Sequence, residues 1–166
     1  RKGCLNGAAE VEVAYTNAPG REFQSFFPHQ FEICITYRLS SSGLAQEVRV
    51  QNLSDLPMPI GLGFHTSLRV PFCTNGCASG IRLRLPAGRK WELDERSLPT
   101  GRLLDLPDGE NEYRAAGRPA AGTVIREHYT RQPLELNGQL INAAILEDEP
   151  AGIRVVYEAG PSFGHW

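Results

Sequence analysis

The sequence predicts an all-β protein built as an antiparallel β-sandwich. Short runs alternate apolar and polar residues with a period of two, as half-buried strands do. Clusters of Gly, Pro, Asn and Ser separate these runs at intervals of roughly 8 to 15 residues, and no helical period is sustained. Strands at this spacing without intervening helices favour sandwiched antiparallel sheets over a parallel α/β sheet. Because no linker, repeat or low-complexity tract divides the chain, residues 1–166 are predicted to form a single β-sandwich domain.

The first predicted strand lies at residues 10–15 and ends at the Asn-Ala-Pro-Gly turn of residues 17–20. A longer one follows at residues 31–39, with one apolar face made of Phe31, Ile33, Ile35, Tyr37 and Leu39. The Ser-Ser-Gly sequence at residues 41–43 then turns the chain into residues 44–50. The alternation on both sides of a short turn predicts a β-hairpin.

Residues 52–65 are the most informative stretch. Ser, Asp and Pro residues predict a turn at residues 53–59. After it, Ile60, Leu62 and Phe64 alternate with two glycines and His65, which predicts a strand at residues 60–65. Glycine within a strand often marks the close approach of a ligand, so His65 would lie on the floor of a groove. The alternative is a histidine of the core or rim, with glycines that only relieve crowding.

In the second half, alternation predicts strands at residues 81–85 and 153–158, and the Pro and Gly residues of 105–121 predict a long surface loop. Arg82 and Arg84 share one face of the first of these strands. They could bind an anionic substrate or simply form the solvated face of the strand. Their regular spacing on an alternating strand favours the solvated face.

Composition excludes several classes of function. The chain is 41% hydrophobic and 22% charged with a formal net charge of −2, values ordinary for a globular domain. No basic stripe points to nucleic acid, and no apolar run is long enough for a membrane span, so neither is expected as a partner. Cys4 and Cys34 are isolated and Cys73 and Cys77 flank a loop, a pattern that matches neither a strong zinc signature nor a disulfide framework. We therefore expect no metal and a cytoplasmic location.

Three segments together resemble the aldose 1-epimerase (galactose mutarotase) family: Phe27-Pro28-His29-Gln30-Phe31, the turn from Asn52 to Pro59, and Gly61-Leu62-Gly63-Phe64-His65. The resemblance is specific over residues 27–72 and fainter to the C-terminus. It implies the twisted supersandwich of the galactose mutarotase-like fold, with this chain as an incomplete portion of the domain.

The resemblance also implies a reaction and a site. Members interconvert the α and β anomers of a hexose or hexose phosphate by acid/base ring opening, with no cofactor. His65 matches the histidine that acts as general acid, a role that suits an imidazole titrating near neutrality. Asn137 stands where members carry a sugar-binding Asp. The glutamate base would follow residue 166, and a further histidine and arginine that grip the sugar would precede residue 1, so the fragment alone is expected to be inactive.

Two other functions stay open at this point. One is a non-catalytic carbohydrate-binding supersandwich module, favoured by Asn137 and the missing glutamate. The other is a β-sandwich subdomain of a larger sugar-processing enzyme. The Asn137-Gly138 step also suits a plain type I′ hairpin turn. Association into a homo-oligomer through exposed strand edges is a further expectation.

Overall fold

The computed structural model describes residues 2–5, 7–74 and 76–166. The chain divides into two compact units, of which the first ends at His65 and the second comprises Thr66–Trp166. All strand pairs described in either unit are antiparallel, as the sequence predicts. The single sandwich domain stays a prediction. Within the described ranges, no helix has the length and apolar character needed to cross a bilayer.

The first unit is a four-stranded meander in the order β1-β2-β3-β4. Its strands are β1 (Lys2–Leu5), β2 (Ala8–Asn17), β3 (Phe31–Ser40) and β4 (Gly43–Asn52). The predicted hairpin is confirmed, because β3 and β4 pair from Phe31↔Asn52 to Ser40↔Gly43 around a two-residue loop. Apolar side chains of all three longer strands share one face, and many of them are exposed, including Val13, Leu39 and Leu44.

The second unit contains the remaining strands and a single turn of α-helix. They are β5 (Ile81–Arg84), β6 (Ala87–Leu93), β7 (Pro99–Leu104), α1 (Asp108–Asn111), β8 (Arg118–Pro119), β9 (Tyr129–Arg131), β10 (Leu134–Leu136), β11 (Gln139–Ile141), β12 (Ala143–Asp148) and β13 (Ile153–Glu158). They form sheets of order β13-β12-β5-β8 and β7-β6-β9, and the hairpin β10-β11.

The core of the second unit is built around two buried tyrosines. Tyr113 and Tyr129 are each 1% exposed, and their ring centroids lie 6.2 Å apart. Leu85, Ala87 and Ala144 complete the buried cluster. Burying an aromatic ring of this size contributes on the order of 2 to 3 kcal/mol, so these rings dominate the local packing.

The predicted strand at residues 60–65 is wrong. These residues are irregular, and Ile60 and Leu62 are 63% and 40% exposed. A strand requires a neighbouring strand to satisfy its backbone, and none of the described strand pairs of the first unit includes these residues. Its two glycines further weaken an extended ladder.

The predicted surface loop at residues 105–121 is also wrong. This stretch contains α1, a 3₁₀ turn at Glu112–Arg114 and the short strand β8. The Tyr113 side chain is buried, and its carbonyl accepts a hydrogen bond from Leu85 N at 3.1 Å. Tertiary packing of one aromatic ring therefore orders a segment whose Pro and Gly content predicts a loop.

Candidate functional site

A turn organised by Asn52 precedes the predicted acid. The Asn52 side-chain amide donates to Leu56 O at 2.8 Å, while its Oδ1 accepts from Ser54 N at 3.0 Å and from Ser54 Oγ at 2.6 Å. Leu53 N also donates to Gln30 O at 2.8 Å, which ties the start of the turn to the end of the neighbouring loop. Strand pairing ends at Asn52, and the hydrogen bonds of its side chain then stabilise the following turn, as in Asx turns.

His65 lies at the end of the irregular segment that follows this turn, and it is exposed. No described residue of the first unit donates to or accepts from its imidazole in a hydrogen bond, and none of its carboxylates forms an ion pair with it. An exposed, unoccupied imidazole can both donate a proton to a bound ligand and recover one from water. Residues 60–65 form no strand, and the placement of His65 on the floor of a groove stays a prediction.

The segment at residues 27–31 is fixed by a buried asparagine that sequence analysis missed. Asn17 is 0% exposed, and its Nδ2 donates to Phe27 O at 3.1 Å and to His29 O at 2.8 Å. The His29 ring packs on that of Phe27 at 4.9 Å between centroids. Because a buried amide must find partners, Asn17 determines how this entry segment docks on β2.

Asn137 occupies the first position of the two-residue loop between β10 and β11. Asn137 and Gly138 have φ angles of 52° and 77°, and Leu136 pairs with Gln139, which is the geometry of a type I′ turn. The side chain is exposed. The turn explains this residue choice without a ligand, and its sugar-binding role stays a prediction. Asn137 belongs to the second unit and His65 to the first.

Arg82 and Arg84 are engaged by the protein itself. Arg82 donates to Ala116 O at 2.9 Å and to Gly117 O at 2.7 Å, and Arg84 donates to Glu135 O at 3.1 Å. Both guanidinium groups therefore donate to backbone carbonyls of neighbouring segments. Arg82 is exposed, as the favoured interpretation of a solvated face expects, and Arg84 is half-buried.

A family model described as aldose 1-epimerase matches residues 4–162 of this chain. The chain belongs to the aldose 1-epimerase family. The match includes both Asn52 and His65, and the family assignment made from three segments is confirmed.

The solved structure of a galactose mutarotase-like protein from Clostridium acetobutylicum matches with a TM-score of 0.94 and 31% sequence identity. The alignment covers 99% of this chain and 49% of that protein, so the chain spans about half the length of this family relative. This match confirms the galactose mutarotase-like fold.

A partly buried polar group in the second unit was not predicted from the sequence. Lys90 Nζ lies 2.9 Å from Glu110 Oε1, and Tyr129 OH donates to Glu110 Oε2 at 3.0 Å. Burial, followed by the bond to Glu110, raises the pKa of Tyr129 well above its ordinary value. These contacts connect α1 to β6 and β9 within the second unit.

The cysteine side chains that the structure describes are free thiols. Cys34 is buried, Cys73 is half-buried and Cys77 is exposed, while the side chain of Cys4 lies outside the described part. Among the described residues, no group of three or more His, Cys, Asp or Glu side chains is placed to hold a metal ion.

Proposed function

We propose that this chain provides the general acid of an aldose 1-epimerase site, and that the acid is His65. The substrate would be a free hexose or a hexose phosphate. The observation that carries the proposal is the exposed imidazole at the end of the Gly-Leu-Gly-Phe-His segment, inside the residues that match the family model. The proposal assigns no role to a metal or cofactor.

In this mechanism His65 donates its proton to the ring oxygen of the sugar while a carboxylate takes the proton of the anomeric hydroxyl. The bond between the anomeric carbon and the ring oxygen breaks, and an open-chain aldehyde forms. Rotation about the adjacent carbon–carbon bond presents the other face, and the reverse proton transfers close the ring as the opposite anomer. A positioned acid of this kind contributes on the order of a hundredfold to ten-thousandfold.

The carboxylate base is the second requirement. The acid and the base have to flank one sugar, and this chain spans about half the length of the family relative that it matches, so we expect the base to come from another part of the complete protein. Family resemblance assigns that role to a glutamate. We therefore expect the 166-residue chain alone to accelerate mutarotation little or not at all.

The test follows the conversion of freshly dissolved α-galactose and α-glucose to their β anomers by proton NMR. Glucose 6-phosphate tests the phosphorylated class in parallel. The assay uses the full product of the encoding gene and the 166-residue chain, each with His65→Asn. His128→Asn is a matched control, because His128 is also exposed and has no expected role.

The full product is expected to accelerate conversion, and His65→Asn is expected to lower kcat by a hundredfold or more with sugar affinity changed only a few-fold. His128→Asn should behave as the unmodified protein. Equal kcat for the His65→Asn and unmodified proteins would refute the acid role.

A second candidate is a non-catalytic carbohydrate-binding module. It is favoured by Asn137, which lacks the charge of the family's Asp and already serves as a turn residue. Saturable sugar binding by the full gene product, measured by calorimetry, together with no acceleration of mutarotation would support this candidate over the enzyme.

A further inference from the structure

We propose that Cys77 and Cys73 form a dithiol that peroxide oxidises to a disulfide. Cys77 is oxidised first, and Cys73 then forms the disulfide with it. This site lies in the second unit and does not depend on the proposed epimerase activity. It is carried by the turn that joins the two cysteines, by the different exposure of their side chains and by the polar contact of the Cys77 sulfur.

The two cysteines belong to one tight turn. Gly76 N donates to Cys73 O at 3.0 Å, so the chain reverses one residue before Cys77. The turn is packed closely, because a Cβ on Gly76 would lie 2.9 Å from Pro71 Cβ and 3.2 Å from Cys73 O. Such a reversal places the Cα atoms of Cys73 and Gly76 less than about 7 Å apart, and Cys77 follows Gly76 directly, so the chain between the two thiols is folded back on itself.

Exposure determines the order of reaction. Cys77 is exposed to a small oxidant, whereas Cys73 is half-buried. The Cys77 Sγ lies 2.8 Å from Ser79 Oγ, in hydrogen-bond contact. This bond, with those from the backbone of Ser79 and Gly80, lowers the pKa of Cys77 and increases the fraction of reactive thiolate.

A buried carboxylate lies near the turn and acts against the thiolate. Asp148 is 4% exposed; its Oδ1 accepts from Ala151 N at 3.3 Å, and its Oδ2 lies 3.7 Å from the position of a Cβ on Gly76. Its negative charge opposes a thiolate at Cys77, but the hydrogen bonds from Ser79 have the larger effect, so the pKa of Cys77 is still lowered.

The oxidant is a hydroperoxide, and the electrons balance in two steps. The Cys77 thiolate attacks a peroxide oxygen, so that an S–O bond forms, the O–O bond breaks and hydroxide leaves to become water. The Cys73 thiolate then attacks the Cys77 sulfur, so that the S–S bond forms and the sulfenic hydroxyl leaves as water with the thiol proton. Two thiols lose two electrons and two protons in total, and one peroxide is reduced.

The test exploits the tryptic map of the chain. Cys73 and Cys77 fall in one peptide, residues 70–82, whereas Cys34 lies in residues 22–38 and Cys4 in residues 3–21. The 166-residue chain is treated with dilute hydrogen peroxide, alkylated with iodoacetamide, digested and analysed by mass spectrometry. Folded chain is compared with chain in urea, and treatment with dithiothreitol tests reversibility.

Peptide 70–82 is expected to lose two hydrogens and to take up no alkyl group, while the buried Cys34 stays reduced and alkylated. Cys73→Ser should stop the reaction at a Cys77 sulfenic acid that dimedone traps. Ser79→Ala should slow oxidation by about fivefold, the factor that one ordinary hydrogen bond represents, and Ser42→Ala, in the exposed turn before β4, should leave the rate unchanged.

Two alkyl groups on peptide 70–82 at a peroxide dose that oxidises Cys34 would overturn the proposal. A disulfide to Cys4 or Cys34, or between two chains, would overturn the pairing. Equal rates for folded chain and chain in urea would show that the fold contributes nothing, and would overturn the site as well.

Discussion

Replacing Tyr129 with Phe is expected to change how the free energy of unfolding depends on pH above about 10. Tyr129 is 1% exposed, and its hydroxyl donates to Glu110 Oε2, with Lys90 on the other carboxylate oxygen. Burial raises the pKa of Tyr129 above that of an unfolded chain, so the folded state holds the phenol proton more tightly. The stabilisation is fully present below the unfolded pKa of about 10 and is lost as pH rises beyond it.

The expected difference in the free energy of unfolding between the unmodified chain and the Tyr129→Phe variant has two parts. At neutral pH, loss of a hydrogen bond to a charged group costs about 1.5 to 3 kcal/mol, so the Phe variant is less stable. Above pH of about 10, the unmodified chain loses up to about 1.4 kcal/mol per pH unit through this phenol, and the variant does not. The variant should therefore be as stable as the unmodified chain at about one to two pH units above pH 10.

Urea unfolding of both proteins, followed by circular dichroism at a series of pH values, measures this difference. Tyr113, whose pKa burial also raises, is present in both proteins, so its contribution cancels. A deficit that stays constant from neutral pH to about pH 11 would refute the assignment of Tyr129 as a buried, proton-holding group.

Two turns give further predictions. Asn52→Ala removes the donor to Leu56 O and the acceptor for Ser54, and should lower the free energy of unfolding by about 1 to 2 kcal/mol in a urea titration; Asn52→Asp keeps only the acceptor and should lose less. Equal losses in the two Asn52 variants would contradict the role of the donor. Gly138→Ala places a Cβ at a φ of 77° and should cost about 1 to 2 kcal/mol, seen as a lower Tm, whereas no change in Tm would contradict the type I′ turn.

Sequence periodicity predicted strands β2, β3, β4 and β13, in which apolar and polar residues alternate. In β13 the exposure follows this alternation, whereas in β2 the apolar residues Val11, Val13 and Tyr15 are themselves exposed. Strand β12 was missed, since its first three residues are all buried and no alternation appears in Ala-Ala-Ile. A strand buried on both faces carries no period of two, and a short apolar run does not distinguish it from other buried segments.

The candidate site was predicted in part. The Asn52 turn followed from local chemistry, because the side-chain bonds that fix it span only four residues. The strand expected at His65 failed because strand formation depends on a partner that local alternation does not supply. The group of Lys90, Glu110 and Tyr129 could not be predicted, since the three side chains come from separate elements of the chain.

The orientation of the His65 imidazole bears on the acid role that we propose for it. A general acid has to stay within hydrogen-bond reach of the atom it protonates. In the described part of the first unit, side-chain hydrogen bonds fix the turn from Asn52 to Leu56, whereas the His65 side chain is exposed and takes part in none of them. If His65 is the acid, further contacts have to orient its imidazole. Contacts that bury Ile60 and Leu62, which are 63% and 40% exposed here, would add that constraint and should raise kcat with it.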